Sequence, residues 1–441
     1  MITLKQAAQW CGGKVLPEYE TVCFSGARAD SRLVQPGQLF AALSGARDGH
    51  DFIPMAMEKG AAAALGQRQL PGVPMIVAEN SLRALGDIAR GYRQILSPRV
   101  VGITGSVGKT TTKEMIAAVL GTGFVTRKTE KNFNNDIGLP MTVLDLTKDT
   151  EAAVIEMGMN HFGEISYLTW IARPDIAVIT NIGTMHIENL GSREGICQAK
   201  LEILEGLSED GIVILNGDEP LLTAAHTGHR TLYFGFGANC DLRAENLRES
   251  EGQTRFTAVS RNGSFEILLP VEGRHNVMDA LAAALTGLTL GLSEAQIAEG
   301  LANFRNTGER QNIYEKNGFT IISDCYNAGP ESMAAALSIL ARRQTAGRRI
   351  AVLGDMLELG DYGPEAHSRV GRLAAEQADL VWTYGPLSLL TAEAAGEKGR
   401  HFDTHADLAN ALRALARPGD VLLFKGSHGM HMEQVLDLFF R

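Results

Sequence analysis

Between Thr104 and Thr111 the chain reads TGSVGKTT, with glycines at 105 and 108 followed directly by a lysine and hydroxyl residues. Backbone N–H groups in such a loop, backed by a helix N-terminus, form a cradle for phosphate. Lys109 is placed to reach β- and γ-phosphates, and the Thr110 hydroxyl to ligate Mg²⁺. The spacing is shorter than the usual GxxxxGK[ST], because Ile103 stands where the first glycine would be. VVGIT before the loop reads as a buried strand and TTKEMIAAVLG after it as a helix. A phosphate loop needs that placement; an ordinary glycine turn with an exposed lysine does not.

Other candidates follow the ends of apolar runs. Glu156 closes AVIE, where a parallel sheet presents its ligand edge. A carboxylate there either holds Mg²⁺ or caps a helix. His186 follows DIAVITNIG at the same edge, as a metal or phosphate contact or as a satisfied structural histidine. Lys200, within QAKLEILEGL, reads from spacing as a solvated helix lysine. Asn132, Asn134, Asn135 and Asp136 make a polar loop that turn chemistry also explains. Nearer the start, Asp30-Ser31-Arg32 and Asp48-Gly49-His50 cluster around turns, and Arg32 could clamp a phosphate or carboxylate. Late in the chain Asp324-Cys-Tyr-Asn327 and Gly354-Asp355 follow strands.

Positioning these groups takes several elements. The 441 residues predict two to four domains at roughly 100–200 residues each. The texture divides the chain into a small mixed α/β domain over 1–97, a parallel-sheet domain carrying the phosphate loop over 98–308, and a Rossmann-like α/β domain over 309–441. In the first domain 56–65 read as a helix running into a strand. In the second, strands are expected at 152–155, 176–180 and 211–215, then an antiparallel pair around Asn262-Gly263 and a helix over 276–291. Strands at 319–323, 349–353, 380–384 and 421–425 are expected in the third.

A composition of 45% hydrophobic and 21% charged residues excludes a disordered chain and a coiled coil. The net charge of −10 argues against nucleic acid as a partner. No apolar run approaches the ~18 residues of a membrane span, and the first residues lack a signal-peptide pattern. Five cysteines without a CxxC pair point to reduced thiols in a cytoplasmic protein.

Taken together and in order, these motifs resemble the Mur ligase family. DSRLVQPGQLFAALSGARDGHDF, TGSVGKTTTKE, NFNNDIGLPMT, EMGMNHFGEI and NIGTMHIENLGSREGICQAKLEI carry the likeness through the first two domains. SDCYNAGPESMAAAL, AVLGDMLELG and KGSHGMHMEQV resemble the branch that adds D-alanyl-D-alanine. The DNPR-like motif of the lysine- or diaminopimelate-adding branch is missing. The resemblance implies an α/β fold of three domains and an ATP- and Mg²⁺-dependent ligase. Such an enzyme phosphorylates the terminal carboxylate of UDP-N-acetylmuramoyl-tripeptide, and the amine of D-Ala-D-Ala then displaces phosphate. A carboxylate is a poor acylating agent at neutral pH, so activation by ATP comes first, and it demands alignment and charge neutralisation.

By the same resemblance, Gly105, Ser106, Val107, Gly108, Lys109, Thr110 and Thr111 bind the ATP phosphates, and Asn276, Arg310 and Asp324 reach the rest of the nucleotide. Thr110 and Glu156 serve one Mg²⁺. His186 and a carbamylated Lys200 serve a second. Ser31, Arg32, Asp48, Gly49 and His50 face the UDP-sugar precursor. Four positions depart from the commoner family pattern: Asp279 for Asn, Cys325 for a small polar residue, Gly329 for Asn and His428 for Arg. A monomer is expected. The rival readings are another Mur-type or folylpolyglutamate-type ligase, and a non-enzymatic nucleotide switch.

Overall fold

A computed structural model describes residues 1–250, 252–305 and 312–441. Arg310 and the expected boundary at 308/309 lie outside them. Among the described residues no helix is long and apolar enough to cross a membrane.

The centre of the molecule is a nine-stranded sheet whose middle strands run parallel. Arg99–Thr104 lies between Ile176–Ile179 and Ala152–Glu156, in parallel register with both. All three runs are buried almost throughout, as expected for strands covered on both faces. Because they are parallel, their C-terminal ends gather at one edge, bringing together the loop after Thr104, the carboxylate of Glu156 and the segment after Ile179. The helix Lys109–Leu120 follows the loop and packs against Arg274–Thr289 and Glu294–Ala302. Gly300 permits the second contact, since a Cβ there would stand 2.6 Å from Val119 Cα. The far side of the sheet continues as the antiparallel strands Leu242–Ser250, Gln253–Ser260 and Gly263–Leu269.

The first domain holds a four-stranded parallel sheet, Ala27–Arg28, Leu39–Ala41, Ala63–Gly66 and Met75–Val77. Here the helix running into a strand expected over 56–65 is present, with its helical part beginning at Ile53 and its strand at Ala63. The helix is Ile53–Glu58, and the chain then turns through Gly60 at φ +93°. The alanines beyond it enter a buried strand, because pairing on both sides outweighs their helix propensity. The helix Ser81–Gln94 joins this domain to the central one, with Arg93 donating to the carbonyls of Leu96, Ala172 and Arg173.

The third domain is a six-stranded sheet, parallel apart from the edge strand Asn312–Lys316. The four expected strands are present as Phe319–Asp324, Arg349–Gly354, Leu380–Tyr384 and Val421–Lys425. The edge strands Asn312–Lys316 and Gly399–Phe402 were not anticipated. The helix Pro330–Arg342 begins at the seam with the central domain.

Candidate active site

The loop after Thr104 is held by its neighbour strand. Val107 N donates to Asn181 Oδ1 at 3.0 Å, while Thr180 Oγ1 and Asn181 Nδ2 both donate to the Val107 carbonyl, at 2.7 and 3.0 Å. Gly183 N donates to Ser106 Oγ at 2.8 Å. Gly105 sits at φ +152° and Gly108 at φ +82°. A Cβ at Gly105 would stand 1.9 Å from Thr180 Oγ1, so the loop closes around these glycines and few other residues fit. Lys109 Nζ donates to the carbonyls of Gly105 and Ser106, at 2.7 and 3.2 Å, and so folds back over the cradle.

Behind the lysine, Thr110 Oγ1 donates to Glu156 Oε2 at 2.9 Å. Glu156 is 1% exposed, and its other oxygen accepts from Asn134 Nδ2 at 2.8 Å. The asparagine loop is thus drawn into the site. Lys113, fully buried one helical turn beyond the phosphate loop, lies 3.1 Å from Glu114 and 3.8 Å from Glu156 Oε2. Oxygen donors of this kind suit Mg²⁺, and Thr110 and Glu156 would hold it.

His186 stands in the left-handed region at φ 63°. Its Nδ1 pairs with Glu358 Oε2 of the third domain at 2.5 Å, and this contact holds the Glu358 carboxyl below its usual range. The described residues contain no cluster of three or more His, Cys, Asp or Glu side chains suited to a metal.

Lys200 overturns the reading that spacing suggests. It is 2% exposed, and burial pushes its ammonium well below the usual 10.5, with the positive charge of Lys109 adding to the effect. Burial of this kind disfavours the charged form, so the side chain is not the solvated cation that spacing suggests.

A cavity of about 300 Å³ lies between the phosphate loop and the third domain. Ser106 to Lys109, Thr111 and Asn276 line it from the central side, and Asp324 and Lys425 from the third domain. Asn276 Nδ2 donates to the Glu272 carbonyl at 2.6 Å. Asp324 Oδ2 accepts from Lys425 Nζ at 2.7 Å, and Lys425 is 1% exposed. That buried pair stiffens the wall, and sequence reading missed Lys425 because its partner lies a hundred residues away. Thr180, Asn181, Glu331 and Glu358 were missed too; the first three signal themselves only by a position just after a strand or at the start of a helix, and Glu358 lies in the loop after Arg349–Gly354.

Ser31, Arg32, Asp48, Gly49 and His50 do not line this cavity. Ser31 is buried and donates to Met55 Sδ at 3.4 Å. Arg32 is exposed and pairs with Asp30 at 2.7 Å. His50 is engaged at both ring nitrogens: Nδ1 lies 2.7 Å from Asp48 Oδ1, and Nε2 accepts the Gln67 N–H at 2.9 Å. The ring thus braces the 48–50 turn, and Arg68, paired with Asp48 at 2.8 Å, is an exposed cation beside it. Among the departures, Asp279 Oδ1 accepts the Thr112 hydroxyl at 2.8 Å beside Gly108. Cys325 is buried against the Phe424 carbonyl. Gly329 abuts Met185, with 2.9 Å from a would-be Cβ to Met185 Cγ. His428 sits with its ring 6.0 Å from that of Tyr326.

Comparison with known proteins agrees with this geometry. Residues 24–93 match the model for the Mur ligase family catalytic domain, 103–287 the Mur ligase middle domain, and 309–428 the Mur ligase glutamate ligase domain. The UDP-N-acetylmuramoyl-tripeptide–D-alanyl-D-alanine ligase of Bacillus subtilis is 44% identical, over 98% of this chain and 97% of the relative. The crystal structure of MurF from Acinetobacter baumannii superposes with a TM-score of 0.90 at 33% identity, covering 100% of this chain and 99% of that one. MurF ligase from Thermotoga maritima in complex with ADP gives a TM-score of 0.83 at 33% identity, over 94% and 97%. With a phosphate loop of the short spacing, a Thr110 hydroxyl bonded to the buried Glu156 and a third domain walling the same cavity, this chain belongs to the Mur ligase family.

Proposed function

We propose that this chain is an ATP-dependent ligase that joins D-alanyl-D-alanine to UDP-N-acetylmuramoyl-tripeptide, forming the pentapeptide precursor of peptidoglycan in the cytoplasm. It would act as a monomer. The observation that carries the reading is the cavity in which Lys109 faces the third domain, in a chain that aligns end to end with ligases so named.

The chemistry follows from what the residues present. The tripeptide carboxylate must meet the γ-phosphate in line, and two anions approach each other only where charge is neutralised. Lys109 and the N-terminus of the helix Lys109–Leu120 supply positive potential at the phosphates. Thr110 and Glu156 would hold Mg²⁺, which neutralises phosphate charge when bound. Lys200, buried so that its ammonium is disfavoured, is suited to take up carbon dioxide, and the resulting carbamate would add an oxygen donor for a second Mg²⁺. Asn276, Arg310 and Asp324 are proposed to hold the nucleoside end. The 31–32 and 48–50 turns would face the UDP-sugar, with Arg32 as the charge that meets it. The third domain, tied to the central one through His186–Glu358 and Thr184–Glu331, excludes water from the acyl phosphate.

The test measures phosphate release from ATP and Mg²⁺ with UDP-muramoyl-tripeptide, with and without D-Ala-D-Ala, alongside mass spectrometry of the product. Phosphate and pentapeptide should appear together and only with both substrates. ATP turnover without amide formation would refute the reading and favour a nucleotide switch.

A further inference from the structure

We propose that Glu331 is the carboxylate that receives the incoming amine: it holds the α-ammonium of D-alanyl-D-alanine and takes a proton as the new C–N bond forms. The inference rests on the acyl-phosphate reading above. Glu331 is the second residue of the helix Pro330–Arg342 in the third domain, yet its side chain reaches the central domain. Thr184 Oγ1 lies 3.2 and 3.3 Å from its two oxygens. A Cβ on Gly183 would be 3.1 Å from both the Glu331 carboxyl carbon and Ser106 Cβ. The carboxylate therefore borders the phosphate loop itself, in the same cavity as Lys109.

The other charged or titratable groups of that cavity are Lys109, His275 and Asp279 from the central domain and Asp324, Tyr326 and Lys425 from the third. Most are committed. Asp324 and Lys425 neutralise each other at 2.7 Å. Asp279 accepts the Thr112 hydroxyl, and Lys109 donates to loop carbonyls. Glu331 is half-buried, bonded to a neutral hydroxyl, and among the described residues no Lys, Arg or His pairs with it. Stabilising its own helix N-terminus would need no reach across the domain seam. A carboxylate placed beside a phosphate cradle, with no cation paired to it among the described residues, has its natural partner in a cationic substrate group, and the acceptor amine is the one the reaction supplies.

An α-amine with a pKa of about 8 is mostly protonated at neutral pH, and an ammonium has no lone pair with which to attack. Glu331 accepts one proton, and the freed pair forms the C–N bond at the acyl carbon. The C–O bond to phosphate breaks as the tetrahedral adduct collapses. The second nitrogen proton leaves with the phosphate, and Glu331 returns its own to solvent.

Hydroxylamine separates this step from carboxyl activation, because it is neutral near pH 8 and attacks an acyl phosphate without a base. Glu331→Gln keeps the shape and the Thr184 contact. With ATP and UDP-muramoyl-tripeptide it should form hydroxamate at the wild-type rate, while kcat/KM for D-Ala-D-Ala falls about 100-fold or more. The remaining kcat/KM should climb about tenfold per pH unit until the amine's own pKa near ~8, a slope the wild type does not show. Glu331→Asp should recover part of the loss. Equal loss of hydroxamate and amide in Glu331→Gln would make the residue a domain-seam contact and overturn the proposal. Wild-type amide formation with a wild-type pH profile would overturn it as well. A wild-type enzyme that forms no hydroxamate refutes the acyl-phosphate reading, and this one with it, before any variant is made.

Discussion

Replacing Gly105 with alanine should weaken nucleotide binding by about 2–3 kcal/mol, roughly 30- to 150-fold, and the structure separates the two contributions. At φ +152° a side chain strains the backbone by about 1–2 kcal/mol. The new methyl would also stand 1.9 Å from Thr180 Oγ1 and 3.2 Å from Thr180 N. The hydroxyl must swing away, and the 2.7 Å bond it donates to Val107 is lost, costing about 1 kcal/mol. Thr180→Ala alone loses only that bond, so it should weaken binding about fivefold. In the double variant the hydroxyl is already gone, so its loss is not counted again. Gly105→Ala/Thr180→Ala should therefore bind no worse than Gly105→Ala, with a coupling of about 1 kcal/mol. ADP affinity by isothermal titration calorimetry, with thermal melting to confirm folding, measures all four corners of the cycle. Additive losses in the double variant, or wild-type affinity in Gly105→Ala, would refute the argument.

Lys200→Ala should lose most ligase activity at any bicarbonate concentration while still binding ADP; full activity would remove the lysine from the mechanism. His367 is buried, with Nε2 accepting the Met356 N–H at 3.0 Å and Nδ1 facing the Gly363 carbonyl at 2.7 Å. Burial lowers its pKa below 6.5, so the unfolded chain takes up the proton first as pH falls. Its contribution is complete above pH 6.5 and is lost as pH drops through the lower folded value. Melting temperatures should thus fall more steeply with acidification in the wild type than in His367→Gln; parallel curves would contradict this. Asp324→Asn leaves the buried Lys425 without its counter-charge and should destabilise the protein by about 3–5 kcal/mol, read as a lower urea midpoint. Asp324→Leu/Lys425→Met should recover most of that, and failure to do so would place the cost elsewhere.

Local order along the chain carried the phosphate loop, because strand, glycine loop and helix are consecutive and each leaves its own periodicity. The same is true of Glu156, of the parallel core strands with their unbroken apolar runs, and of the hairpin at Asn262-Gly263. The edge strands Asn312–Lys316 and Gly399–Phe402 left no such signal, since their residues are mostly part-exposed and polar. The point at which the helix gives way to a strand within 56–65 was not legible, because the strand's pairing partners lie elsewhere in the chain. Side-chain roles depended still more on tertiary structure. Family resemblance moved Lys200 into the site, but only packing shows that its amine is desolvated. His50 was singled out as a substrate contact, whereas the fold engages both nitrogens of its ring. Lys425 meets Asp324 across 101 residues, and Glu331 meets Thr184 across 147. A sequence by itself determines which elements form and in what order. Burial and charge pairing are decided by contacts between distant segments, and those exist only once the domains have packed.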